Sequence, residues 1–343
     1  MVNGNKKTPA KLSTRAKVLL ALRGKEGEPL SGGKLAEYAG VSRVAVWKGI
    51  QALCGAGYPI ETHGSGYMLD PQKPCDFLYP WEFGERESLF RYFDHTGSTM
   101  DRAREFAARG CAPGTVITAE RQSAGKGRNG RSWASRQGGL FCTILDQPGI
   151  ALADYSLPAM IFQIAVARVL TALCGKPARL RWPNDVYIDR RKIAGLMTEL
   201  EGEGDMVSWL AAGIGVNVNN TVPSGKAVNC AELAGRAVSR SEVLLRIIDE
   251  AERVRRRVSS GTAYSQGNRT LAAEWNSLAD GIGAKAAVTD SAGAGAVKSG
   301  VETRGRTLAK GIFGGIDPAG RCIIKTEKGS LYFNPGPVSM MFV

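Results

Sequence analysis

The sequence predicts an α+β multidomain protein: an N-terminal winged helix-turn-helix, a central mixed-sheet domain with long helices, and a small C-terminal β domain. Three observations carry that prediction. Capped apolar segments separated by a glycine turn open the chain. β-rich stretches interrupted by two long helical ones fill its middle, and short strand-like runs between Pro-Ala-Gly and Lys-Gly turns close it. With 343 residues, 43% of them hydrophobic, there is material for two or three cores.

Residues 1–70 carry ten Lys/Arg against five Asp/Glu, a basic small domain. Thr14 to Arg23 reads as a first helix, broken by Gly24 to Pro29. A second, about Gly33 to Ala39, follows the cap Ser31. Ser42 caps a third, to about Gly55, with Val46, Ile50 and Leu53 at i, i+4, i+7 as its buried face. Arg43, Trp47, Lys48 and Gln51 fall on the other face, open to a DNA major groove. Trp47 has two readings, a groove contact or a ring packed on a neighbouring element. The runs Tyr58–Thr62 and Gly66–Leu69 make a wing. The same pattern also suits a small helical domain used for protein contacts.

Asp70-Pro71-Gln72-Lys73-Pro74 has a linker's composition, and a second domain is expected from 76 to 280. Phe90 to His95 reads as a strand leading into Thr96-Gly97-Ser98-Thr99-Met100, then a helix over Asp101 to Arg109. A hydroxyl at Ser98 or Thr99 serves there either as a cap or as a ligand contact. Thr115 to Glu120 and Leu140 to Leu145 are strands. Between them lies Gly125-Lys126-Gly127-Arg128-Asn129-Gly130-Arg131-Ser132-Trp133, where glycines alternate with cations. Such a run suits a loop that folds around an anion, and by composition alone it equally suits a solvated surface loop.

Pro158 to Leu173 is a long helix. Strands follow at Leu180–Trp182, Val186–Ile188, Lys192–Leu200 and Trp209–Val218, the second and third turning at Asp189-Arg190-Arg191. Asn219 to Arg240 reads as polar loop. Helices are expected at Ser241–Val258 and Leu271–Leu278, and a third domain from 281 to 343, with a flexible insertion rich in Gly, Ala and Ser near 290–305.

Composition also narrows the function classes. The longest apolar run, Leu157 to Cys174, is broken by Gln163 and Arg168, and no apolar core follows the charged N-terminus. Neither a membrane span nor a signal peptide is expected. Seven scattered cysteines without a Cys-x-x-Cys pair point to free thiols in a reducing cytoplasm. Two histidines, His63 and His95, argue against a His-rich metal site. A net charge of +13 points to a polyanionic partner.

The glycine-cation loop, Arg181-Trp182-Pro183-Asn184-Asp185, Arg191-Lys192-Ile193-Ala194-Gly195 and Gly213-Ile214-Gly215-Val216-Asn217 resemble, in that order along the chain, the motifs of biotin protein ligases. The winged helix is similar to that of the bifunctional subgroup that also represses biotin-synthesis genes. The resemblance implies a biotin/lipoate ligase-like catalytic domain and an SH3-like C-terminal barrel. It implies that biotin and ATP form biotinyl-5′-AMP, and that the acyl group passes to a lysine of a biotin carboxyl carrier protein. By the same resemblance Arg128, Lys192 and Asp185 are catalytic, with Mg²⁺ arriving with ATP near Asp185.

Biotin would be held by Ser98, Thr99, Met100, Gln122, Lys126, Gly127, Arg128, Lys192 and Gly195. ATP would be held by Arg128, Arg131, Trp133, Asn184 and Asn217. The chain departs from the family at Met100, where asparagine is common, at Lys126 and Asn129, where arginines are usual, and at Arg181, where lysine is usual. The implied partners are carrier protein, operator DNA and a second copy in a ligand-promoted homodimer, with no membrane. The alternatives are a biotin-sensing transcription factor without catalysis and, more distantly, a lipoate ligase.

Overall fold

A computed structural model describes residues 12–25, 27–259, 264–290, 306–336 and 338–343. The expected insertion near 290–305 lies outside them except for Asp290. The chain divides into two compact units, Met1–Tyr92 and Phe93–Val343.

In the first unit α1 (Thr14–Arg23), α2 (Gly32–Ala39) and α3 (Arg43–Gly55) precede a hairpin of β1 (Ile60–His63) and β2 (Gly66–Leu69). Each helix starts on a serine whose hydroxyl accepts a backbone N–H three residues on, satisfying one of the orphan donors of the first turn: Ser13, Ser31 and Ser42, each at 3.2 Å. Gly40, at φ 65°, turns α2 into α3 in a left-handed conformation that costs glycine little. Leu19, Leu22, Leu35, Val46, Ile50 and Leu53 close the core.

The first unit extends past the expected linker because of its aromatic residues. Phe77, Tyr79 and Trp81 alternate along the chain and share one side. Tyr58 lies 4.7 Å from Phe77, and Tyr79 stacks on Trp81 at 4.7 Å. Glu82, its side chain 2% exposed, accepts Arg23 at 2.8 Å and 3.0 Å and the Tyr58 hydroxyl, while Trp81 Nε1 donates to that hydroxyl at 3.0 Å. Burial first, then the Glu82 charge, pushes the Tyr58 phenol far above its usual range, so it stays a neutral donor. Residues 76–92, expected to open the second domain, therefore belong with the winged helix.

The second unit contains β3 (Phe90–Thr96, where the unit boundary falls), α4 (Thr99–Ala108), β4 (Val116–Gln122), β5 (Leu140–Asp146) and α5 (Ser156–Cys174). There follow β6 (Arg179–Arg181), β7 (Asp185–Ile188), β8 (Arg191–Glu203), β9 (Met206–Val216), α6 (Cys230–Ala234), α7 (Arg240–Ser259) and α8 (Tyr264–Leu278). The seven strands form one mixed sheet in the order β3-β4-β5-β9-β8-β7-β6, and its ladders from β4 to β6 are antiparallel. Asp189 and Arg190 turn β7 into β8 with positive φ at both residues, 50° and 63°, the twist a two-residue hairpin needs. Every residue of β5 is buried, so both faces of the sheet are covered there. The helix α5 is long and apolar enough to cross a membrane, but 72% of that window is buried against the rest of the unit, as in a core helix. A second sheet, of β10 (Lys285–Asp290), β11 (Thr307–Ile316), β12 (Cys322–Thr326), β13 (Gly329–Phe333) and β14 (Val338–Phe342), has the antiparallel order β13-β12-β11-β10-β14.

Three expectations need correction. The polar stretch 219–240 contains α6, which begins on the Asn229 cap and, at five residues, is too short to show a period. The helix α8 starts at Tyr264 rather than Leu271. The strand β14 was not foreseen.

Removing the carboxylate that ties residues 76–92 to the winged helix tests this packing. Glu82→Ala leaves the buried Tyr58 hydroxyl and the Arg23 guanidinium without their acceptor and should cost about 2 kcal/mol, because Arg23 is partly solvated and the pair is weaker than a fully buried one. Urea unfolding measures it; a loss under about 0.5 kcal/mol would mean that the network contributes nothing beyond surface contacts.

Candidate active site

A cavity of about 640 Å³ lies on one face of the large sheet. Its floor follows from strand register. Residues directly opposite on paired strands share a face, so Asp185, Gly195, Gly215 and Phe141 form one row across β7, β8, β9 and β5. The next row is Met197, Gly213, Thr143 and Ile117. Three glycines strip the centre of these rows. A Cβ at Gly215 would sit 2.6 Å from the Trp133 ring, one at Gly195 2.8 Å from it, and one at Gly213 2.6 Å from Met100 Sδ. Trp133 and Met100 thus pack directly on bare backbone.

The glycine-cation loop leaves the sheet after β4 and returns to β5, its stem closed by bridges Gln122↔Ser135 and Lys126↔Ser132. At the blind end Ser98 caps α4, accepting from Met100 N at 3.2 Å, and also lines the cavity, so cap and candidate ligand contact coincide. Gln122 Oε1 accepts both the N–H of Thr99 at 2.8 Å and its hydroxyl at 3.2 Å. Met100 enters an apolar cluster with Ala103, Ile117, Leu145 and Ala211, where an asparagine side chain would need hydrogen-bond partners the cluster lacks.

The open end is cationic. Arg128 donates to Asn184 Oδ1 at 3.4 Å and to the backbone carbonyls of Pro335, at 2.5 Å, and Gly336. Burial lowers the Arg128 guanidinium below its usual value; Asp185 opposes this and the Arg131 charge adds to it. Lys192 Nζ lies 2.7 Å from Asp185 Oδ1 but off the hydrogen-bond direction, leaving that oxygen without a hydrogen-bond partner. It also lies 5.1 Å from the Trp133 ring centre. Arg131, Gly127 and Asn184 line the same space.

Two expected residues behave differently. Lys126 lines the cavity, but its ammonium pairs with Asp101 at 2.5 Å, and Asp101 also holds Arg104 at 2.6 Å. Burial raises the Asp101 carboxyl, and the bonds and charges of Lys126 and Arg104 outweigh it to hold the group below its usual range. Lys126 therefore tethers the loop to α4. Asn217 does not join the cavity lining: its Oδ1 accepts Asn220 Nδ2 at 3.1 Å, in the turn that ends β9. Of the groove residues, Arg43, Lys48 and Gln51 are exposed and Trp47 is 52% exposed, so the indole is not packed away.

Sequence reasoning missed Asp101, Ser135, Thr143 and the carbonyls of 335–336. Asp101 had a signal, an acidic residue in the first turn of a capped helix; the others depend on register or on a distant loop. Cys142 also lines the cavity, and burial pushes its thiol up to about 12, too high for a nucleophile at neutral pH. Among the described residues no three His, Cys, Asp or Glu side chains gather as a metal site.

The model described as the Biotin/lipoate A/B protein ligase family matches residues 92–219, and a helix-turn-helix domain model matches 14–68. The bifunctional ligase/repressor BirA of Bacillus subtilis is 30% identical over 333 residues, spanning 92% of this chain and 96% of its own. BirA of Escherichia coli is 34% identical over 203 residues, 56% of this chain and 60% of its own. Among solved structures, a biotin protein ligase from Aquifex aeolicus in complex with biotin and ATP is similar at a TM-score of 0.59 and 25% identity, covering 74% of this chain and 99% of that one.

The glycine floor can be tested by crowding it. Gly215→Ala should cost about 1–3 kcal/mol by overpacking. Most of that cost should vanish in a Trp133→Ala background, a coupling of about 1 kcal/mol or more in thermal or urea unfolding. Strictly additive costs would place the strain somewhere other than the indole.

Proposed function

We infer that this chain, which belongs to the family of bifunctional biotin ligase/repressors, activates biotin with ATP and transfers it to a lysine of a carrier protein. It is a biotin protein ligase with a DNA-binding repressor domain. The observation that carries the chemistry is the pairing of a blind end rich in hydrogen-bond donors with a cationic open end across one glycine floor.

In the first step a carboxylate oxygen of biotin attacks the α-phosphorus, the bond to the bridging oxygen breaks, and pyrophosphate leaves. Two anions must meet, so Arg128 and Lys192, both half-buried, and the exposed Arg131 hold carboxylate and phosphate together. In the second step the amine nitrogen of the carrier lysine attacks the acyl carbon, the bond to AMP breaks, and the amine's proton is lost to solvent. No protein nucleophile takes part.

At the blind end the Ser98 hydroxyl and the second N–H of Gln122 are donors without a partner among the described residues, which suits the carbonyl of a cyclic urea. Thr99 and Met100 wall that end; Lys126, Gly127 and Gly195 shape the passage along the acid's chain. Trp133 offers a ring face, and Asn184 and Arg131 border the nucleotide. Asn217 would have to leave Asn220 to reach it. Asp185, whose Oδ1 lacks a hydrogen-bond partner and faces the Lys192 ammonium at 2.7 Å, would hold a Mg²⁺ that enters with ATP once Lys192 turns to the phosphates. Bound there, the ion would neutralise phosphate charge.

We assign the C-terminal sheet to an SH3-like barrel over 281–343, the winged helix with its aromatic strap to the unit ending at Tyr92, and the catalytic domain to 93–280. Arg43, Trp47, Lys48 and Gln51 meet operator DNA, and an adenylate-promoted homodimer in the cytoplasm places two such helices on paired half-sites.

Biotin, ATP and Mg²⁺ with a biotin carboxyl carrier domain should give pyrophosphate release and a carrier heavier by one biotinyl group, read by mass spectrometry. Arg128→Gly should lose retention of the adenylate by a larger factor than affinity for biotin. Neither pyrophosphate nor labelled carrier from the wild type would overturn the ligase assignment.

A further inference from the structure

A one-way line of hydrogen bonds crosses the blind end of the cavity. The Thr143 hydroxyl, fully buried on β5, donates to Thr99 Oγ1 at 2.9 Å, and Thr99 Oγ1 donates to Gln122 Oε1 at 3.2 Å. Gln122 Nε2 donates to Ser135 Oγ at 2.8 Å, and Ser135 Oγ donates to the Trp133 carbonyl at 3.2 Å. Every member gives its hydrogen in the same direction, so each bond polarises the next. There is no slack: a Cβ on Gly125 would sit 2.5 Å from the Trp133 carbonyl and 2.6 Å from Ser135 Oγ.

An amide has two faces of similar shape and opposite hydrogen-bonding character, and this line fixes which is which. The Gln122 oxygen is filled by the Thr99 N–H and hydroxyl. Its nitrogen spends one hydrogen on Ser135 and turns the other to the cavity. The Thr99 backbone N–H, which can only donate, sets the Gln122 oxygen toward α4, and the Thr99 hydroxyl, with one lone pair taken by Thr143, adds its own hydrogen to that oxygen. Without the Thr143 hydroxyl the Thr99 hydroxyl is free to turn and accept, the backbone N–H alone opposes rotation of the amide, and a larger share of Gln122 presents its oxygen to the cavity.

We propose that Thr143 and Ser135 are positioning residues that hold Gln122 with its N–H toward the ligand, so that the blind end accepts a carbonyl and rejects a donor at the same place. The proposal rests on the ligase reading for the identity of the acid. Ser135 also joins this selection to the glycine-cation loop through the Trp133 carbonyl.

Iminobiotin, in which the urea carbonyl is replaced by an imine that is protonated at neutral pH and so presents only donors, is the probe. Calorimetric titration of the full chain with biotin and with iminobiotin reads the preference without turnover. The wild type should prefer biotin, and Thr143→Val and Ser135→Ala should each reduce that ratio about tenfold, the scale of one misdirected buried hydrogen bond. Thr143→Ser, which keeps the hydroxyl, should restore it. An unchanged ratio in a folded Thr143→Val overturns the proposal; if that variant unfolds, an unchanged ratio in Ser135→Ala does so. A wild type that shows the preference but releases no pyrophosphate overturns the ligase reading and leaves the relay standing. Equal affinity for both acids overturns the relay.

Discussion

The second unit depends on side chains that are missing from one face of β8 and β9. With Cβ atoms at 195, 213 and 215 the Trp133 indole and Met100 could not rest on backbone, and the loop carrying Trp133 would stand away from the sheet. The pleat makes this possible. On β9 the glycines are two apart, so one face is bare while Ile214 between them is buried on the other. The same strand is floor to the site and wall to the core. The cost is entropic and is borne by central strands held on both edges by antiparallel ladders.

Charge is arranged around that floor in two ways. Lys126, Asp101, Arg104 and Glu199 form a chain of ion pairs that fastens the loop to α4 and β8. Among the described residues Arg128 has no carboxylate within a salt bridge; it is half-buried, loses some of its affinity for a proton, and is solvated by carbonyls of the segment before β14. Carbonyl dipoles are weaker partners for a guanidinium than a carboxylate or phosphate oxygen. An arriving anion can therefore exchange for them.

Much of this was legible in the sequence. Helix caps at Ser31 and Ser42, the hairpin around Asp189, and the strand positions on either side of the loop follow from local rules, and the structure keeps them. The motifs also drew Ser98, Thr99, Gln122, Arg128, Lys192 and Gly195 into one cavity. Long-range pairing was not legible. That Thr143 lies on the same face as Gly213 depends on the register of β5 against β9, and the Arg128 carbonyl partners lie more than 200 residues away. Phe77, Tyr79 and Trp81 alternate just after two prolines that read as a linker, and nothing local shows that they pack on the winged helix. Lys126 was assigned to an anion because its partner, Asp101, belonged to another element.

The proposed ligase chemistry requires that Arg128 and the loop around it retain an acyl-adenylate. Native mass spectrometry of the chain after incubation with biotin, ATP and Mg²⁺, then removal of free ligand, reads that retention. One biotinyl-AMP should remain bound per chain, and Arg128→Gly should lose it during the same removal. A wild type that emerges bare, or carrying biotin or ATP alone, would contradict the account.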